Sequence, residues 1–160
     1  MRRLISLGLA SVLLLGVAAP VGAVPAPTPF QQPIVLLLAT LTGAAERPGP
    51  GDPDGTGQAL IVVNRLSNEL CYWVFVQGIT LPTTGNHIHL APSTAPGPVV
   101  VPMDNPGETG FAFGCTAVGA VLLNNIADNP SQYYVNVHTL PLYAAGAVRG
   151  QLYNPVAPGT

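Results

Sequence analysis

Lysine is absent from this chain, and charged residues of every kind make up only 8% of its 160 positions. Without a basic patch nothing can neutralise a phosphate backbone, which argues against nucleic-acid binding. Serine is scarce as well. Beyond residue 33 only Ser67, Ser93 and Ser131 remain, and none stands in a G-x-S-x-G setting, so the usual nucleophile elbow is missing. The carboxylates Glu46, Asp52, Asp54, Glu69, Asp104, Glu108 and Asp128 fall mainly in loops, with no pair that would flank a glycosidic bond, and read as solvated, solubilising groups. No period of roughly 20 to 50 residues recurs, which removes solenoids and propellers. Taken together, these gaps leave no catalytic constellation, and a non-enzymatic module is the first expectation.

The one long apolar run, Leu4 to Ala19, follows Met1-Arg2-Arg3 and meets Pro20, then Val21-Gly22-Ala23. It is shorter than the roughly 20 residues a membrane span needs, and the small residues after it resemble a signal-peptidase site. Residues 1–23 are therefore expected to be a cleaved export signal, placing the protein in the periplasm, at the cell surface or in the medium, with no membrane span after cleavage. Loss of Arg2 and Arg3 leaves three arginines against seven carboxylates, a formal charge of 3 − 7 = −4. Such acidity favours solubility and disfavours anionic lipid.

Export changes the meaning of the two cysteines. Cys71 and Cys115 lack a C-x-x-C spacing, so a redox-active dithiol is not indicated, and in an oxidising compartment two thiols are expected to pair. Residues 24–33, with four prolines, read as an extended tether. The β domain is expected over 34–154, followed by a tail, 155–160. Within the domain, short β-branched and aromatic segments alternate with Gly/Pro/Asn/Asp clusters: 34–41, 58–64, 69–77, 87–90, 98–103, 110–116, 133–139 and 147–153. One helical turn fits at 118–127. About eight strands predict an all-β Greek-key sandwich or barrel, immunoglobulin-like or superoxide-dismutase-like. In 69–77 both faces are apolar, which predicts a central strand covered on both sides.

Three histidines are the only ionisable cluster with chemical promise. His87 and His89 are two apart in a strand, so their rings leave the same face, and in YYVNVHT the side chains of Tyr134, Asn136 and His138 share another. Should those strands meet, three imidazoles converge on a possible copper or zinc site. The plainer alternative is that the rings hydrogen-bond Asn136, Thr139 or backbone groups and fix strand ends. Arg149, beside Gly150, is expected to pair with Glu46 or Glu69.

The ordered set LTGAAERPGP, ELCYWVFVQGI, NHIHLAP, GPVVV, NPSQYYVNVHT and AVRGQL resembles the CHRD domain, over roughly residues 36 to 152. That resemblance implies an extracellular all-β module, here a single-domain exported member. It names no ligand: an extracellular protein or an envelope polymer are the partners it suggests, and the cysteine-rich repeats that accompany the module in chordin are missing. The H-x-H strand is also similar to the copper site of Cu/Zn superoxide dismutase. That dinuclear centre needs more histidines than this chain has, which excludes a full dismutase by counting and leaves a single-metal site open.

Overall fold

In the computed structural model, which describes residues 31–156, alternation of side chains with period two decides what each strand buries. On β1 (Ile34–Thr42), Val35, Leu37, Ala39 and Leu41 point inward while Ile34 and Leu36 stay half in water. β2 (Thr56–Asn64) repeats the pattern with Ala59, Ile61 and Val63, and β3 (Glu69–Gln77) with Leu70, Tyr72, Val74 and Val76. Leu37, Ile61, Leu70 and Val74 have no exposed surface, so trimming one, as in Leu37→Ala, should cost about 2–5 kcal/mol. The expected export signal, 1–23, lies outside the described residues, as do 24–30 of the tether and 157–160 of the tail.

Five further strands complete the sheet: β4 (Thr83–Leu90), β5 (Val99–Pro102), β6 (Phe111–Ala117), β7 (Tyr133–Thr139) and β8 (Tyr143–Gln151). All pairings are antiparallel, in the order β5-β4-β7-β8-β1-β2-β3-β6. The two halves, β5-β4-β7-β8 and β1-β2-β3-β6, join where Thr42 of β1 meets Arg149 of β8 and where Leu38 bridges Tyr153. The sheet curls, and inward residues of both halves, Ile88, Val101, Val135, Val137 and Val148 among them, form one core with those of β1, β2 and β3. The chain changes half after β3, after β5 and after β6, crossings of the Greek-key kind that belong to an all-β sandwich. A short helix, α1 (Ala120–Asp128), adds Leu123, Ile126 and Ala127 to the core and ends ahead of Pro130.

Cys71 and Cys115 are joined in a disulfide, directly opposite each other on β3 and β6, so the bond ties neighbouring strands of one half. Three expectations need correction. β4 begins at Thr83 rather than at 87, because β-branched Thr83 pairs with Thr139 and Gly85 with His138 of β7, the register shifting between Thr83 and Gly85. β8 begins at Tyr143, four residues early. Its Ala-Ala-Gly reads as loop, yet Gly146 takes φ 145°, which few side chains adopt, under the Glu46 carboxylate. Finally, β3 is flanked by β2 and β6 but, among the described residues, its outer face is not covered: Trp73 and Phe75 are 42% and 46% exposed.

Candidate metal centre

The antiparallel register of β4, β7 and β8 builds a polar layer in rows. His87 lies opposite Asn136, which lies opposite Arg149; His89 lies opposite Tyr134, which lies opposite Gln151; Gly85 lies opposite His138. These positions all face away from the core, yet several are buried: Arg149 is 1% exposed, Asn136 2% and His89 8%. Two loops supply the cover. Residues 91–98 fold back over β7 and β8, and the segment after β1 folds over β8 through the Asp52 N–H, which donates to the Ala147 carbonyl at 2.8 Å.

Arg149 fastens the first loop. Its guanidinium donates to the carbonyls of Pro92 (2.8 Å) and Ala95 (3.0 Å), and its carbon lies 3.5 Å from the centre of the Tyr134 ring. The neighbouring Gln151 amide donates to Ala91 and Ser131 carbonyls at 2.8 and 2.7 Å. Neither Glu46 nor Glu69 forms an ion pair with Arg149, contrary to the expectation: loop carbonyls occupy the fork, and Glu69 belongs to β3 in the other half. Glu46 is buried too, at 2% exposure, rather than solvated, and accepts a hydrogen bond from the Asn136 amide at 2.7 Å. Burial pushes its carboxyl up to about 7, against the opposing pull of Arg149 and the Asn136 hydrogen bond.

His87, His89 and His138 come together, each presenting a ring nitrogen within 4.8 Å of the other two. Ring centres are 5.6 Å apart for His87 and His89, 5.2 Å for His87 and His138, and 6.2 Å for His89 and His138. The plainer reading holds for one side of two rings. His89 Nδ1 donates to the Gly97 carbonyl (2.9 Å) and His138 Nδ1 to the Ala144 carbonyl (3.0 Å), because a carbonyl can only accept. With the proton held at Nδ1, Nε2 of each ring carries the free lone pair, and both Nε2 atoms are buried without a partner. Nδ1 of His87 is buried and unpartnered as well. His89 is further fixed by stacking on Tyr134, with centres 4.8 Å apart and planes 9° from parallel.

Electrostatics keeps the rings neutral, the form that binds metal. Burial, helped by the other two histidines, pushes His87 down to about 4, and burial also lowers His89 and His138. Ligand bonds near 2.0 to 2.1 Å imply nitrogen separations of about 3.3 to 3.6 Å, so closing on an ion asks each ring to move inward by less than about 1 Å. Gly85 leaves room for them here. A Cβ on it would fall 3.0 Å from Cε1 of His87 and 3.1 Å from Cδ2 of His138.

The same-face rule on YYVNVHT finds Tyr134, Asn136 and His138. Glu46, Gly97 and Ala144 escape it, since their places depend on loop folding that has no periodicity. The disulfide removes Cys71 and Cys115 from any ligand set, although with Glu69 they form a second group of donor-type residues. No helix among the described residues is long and apolar enough to cross a membrane.

The family model that describes the CHRD domain matches residues 37–152, well over half of the chain. No curated protein matches the chain.

Proposed function

The chain belongs to the CHRD domain family, and we propose that this member is an exported module in which His87, His89 and His138 hold one copper or zinc ion. One observation carries the reading: two histidines have Nδ1 committed to backbone carbonyls and Nε2 buried without a partner, beside a third imidazole with the same deficit. A buried polar atom left unpaired costs about 1–3 kcal/mol, and three such atoms within reach of one another are what a bound cation would satisfy together. The carbonyls of Gly97 and Ala144 act as the outer partners that fix tautomer and ring orientation around a metal. Calorimetric titration of tag-free protein should find one Cu(II) or Zn(II) per chain, bound more tightly than about 10 μM (roughly −7 kcal/mol); weaker binding of both ions would remove the proposal.

A second reading rests on the opposite half. The outward positions of β1, β2, β3 and β6 carry Leu36, Leu38, Leu60, Trp73, Phe75, Phe111 and Phe113 with no charged side chain between them. A shallow hollow of about 200 Å³ opens between Leu38, Leu60, Trp73, Phe75 and Phe111. Flat aromatic surface with no charge among its rings suits an extracellular protein or an envelope polymer better than an ion. Loss of retention on isolated cell-envelope material in a Trp73→Ala, Phe113→Ala variant would support it, and unchanged retention would remove it. Both readings place the module outside the cytoplasm, with residues 1–23 removed, a tether over 24–33, the domain over 34–154 and a tail beyond. Mass spectrometry of exported protein should then give a chain starting at or near Val24, and retention of Met1 would contradict that.

A further inference from the structure

Resting on the metal-centre reading, we infer that the histidine cluster is an open site, in which three imidazoles leave one coordination position for water or a small anion. Four protein donors close a structural zinc site, whereas three leave a position that exchanges with solvent. Among the described residues the group contains His87, His89 and His138 and no fourth cysteine, carboxylate or histidine. Glu46, a buried carboxylate beside Asn136, is engaged by the Asn136 side chain.

Access is one-sided. His89 is buried beneath residues 91–98, while His87 and His138 each keep part of their surface in solvent. The free nitrogens of all three rings are themselves buried, so a ligand from solvent reaches the open position past the partly exposed rings of His87 and His138. Charge sets the class of ligand: three neutral imidazoles leave a divalent ion its full +2, and the adjacent guanidinium of Arg149 adds to that field, so a small anion is preferred to a neutral molecule of equal size. Asn136, cross-strand from His87, has a buried Oδ1 with no partner while its Nδ2 is spent on Glu46. It offers an acceptor for a ligand that carries a proton, as water or hydroxide does.

Azide, added to the full-length Cu(II)-loaded protein, is the probe. A saturable ligand-to-metal charge-transfer band with one azide per copper, together with a changed copper EPR spectrum, is the expected result. Copper bound one per chain with spectra indifferent to azide would overturn the open site and leave the metal centre standing. Failure to take up either Cu(II) or Zn(II) in stoichiometric amount would overturn the centre itself, and zinc uptake without copper would overturn the open copper site alone. His89→Ala serves as the control, since a band that persists at equal intensity there would arise from copper elsewhere and count against the site.

Discussion

On β2 and β3 the outward side chains Leu60, Trp73 and Phe75 stay partly in solvent, whereas on β4 and β7 the outward His89 and Asn136 are almost fully covered. Both halves obey the same alternation, and their inward residues meet in the same core. The contrast arises from the connections. Residues 91–98 and the segment after β1 lie across β7 and β8, pinned by Arg149, Gln151 and the backbone of Ala147. The outer face of β1, β2, β3 and β6 has no such lid among the described residues and carries the disulfide. Aromatic side chains tolerate an open face, being apolar bodies that singly cost little in water. Histidines whose second nitrogen is to stay dry do not, so the cover and the imidazoles belong together.

The largest effect that would sharpen this contrast is on metal uptake. Alanine in place of His87, His89 or His138 should each abolish stoichiometric Cu(II) or Zn(II) binding in calorimetry and leave the apo fold largely intact. Trp73→Ala with Phe113→Ala should bind metal like the wild type. A single histidine variant that still binds one ion as tightly as the parent would break the assignment.

Next comes the disulfide, which supports only the uncovered half. Its 44-residue separation implies a loss of about 4 kcal/mol in urea unfolding when Cys71 and Cys115 are both serine. Metal affinity should not change. A stability loss below about 1 kcal/mol would show that the bond contributes little to holding β3 against β6.

Acidity tests the covered half. Glu46 has a folded pKa of about 7, raised from 4.5, so the fold is stabilised by its proton below about 4.5 and loses that contribution as pH rises through 7. His87, lowered from 6.5 to about 4, has the opposite sign: its contribution is full above 6.5 and lost as pH falls towards 4. In the metal-free protein the two slopes oppose each other between about 4.5 and 6.5. Glu46→Gln keeps an acceptor for Asn136 and removes one slope. The variant should gain stability over the wild type at pH 8, by about 3 kcal/mol at most, and fall more steeply on acidification. Equal pH profiles would show that Glu46 is not held in a dry environment.

The smallest effect belongs to the exposed aromatics. Trp73 is 42% exposed, so Trp73→Ala should lower stability by only about 1 kcal/mol in chemical denaturation. A loss as large as that of a fully buried aromatic, about 3 kcal/mol or more, would mean that this face is covered after all.

Much of this was legible in the residues. Period-two patterns located 69–77 and 133–139 at their observed ends, because β-branched and aromatic residues bounded by turn formers leave little else for the chain to do. The strand starts at Thr83 and Tyr143 were not legible, since Gly85 and Ala144-Ala145-Gly146 look like loop until their partners are known. The burial of Glu46 was likewise hidden, as ERPGPGDPDG has the composition of a solvated loop.

The sequence by itself determined an all-β chain, which side chains leave each strand together, and that His87 and His89 share a face, because these depend on local backbone geometry. Only the tertiary structure decided that His138 joins them and that Cys71 meets Cys115 on an adjacent strand. It also decided that Arg149 grips loop carbonyls instead of a carboxylate and that one outer face is dry while the other is wet. Those outcomes depend on which strands pair and where the connections fold, contacts between residues far apart in the chain that no local periodicity encodes.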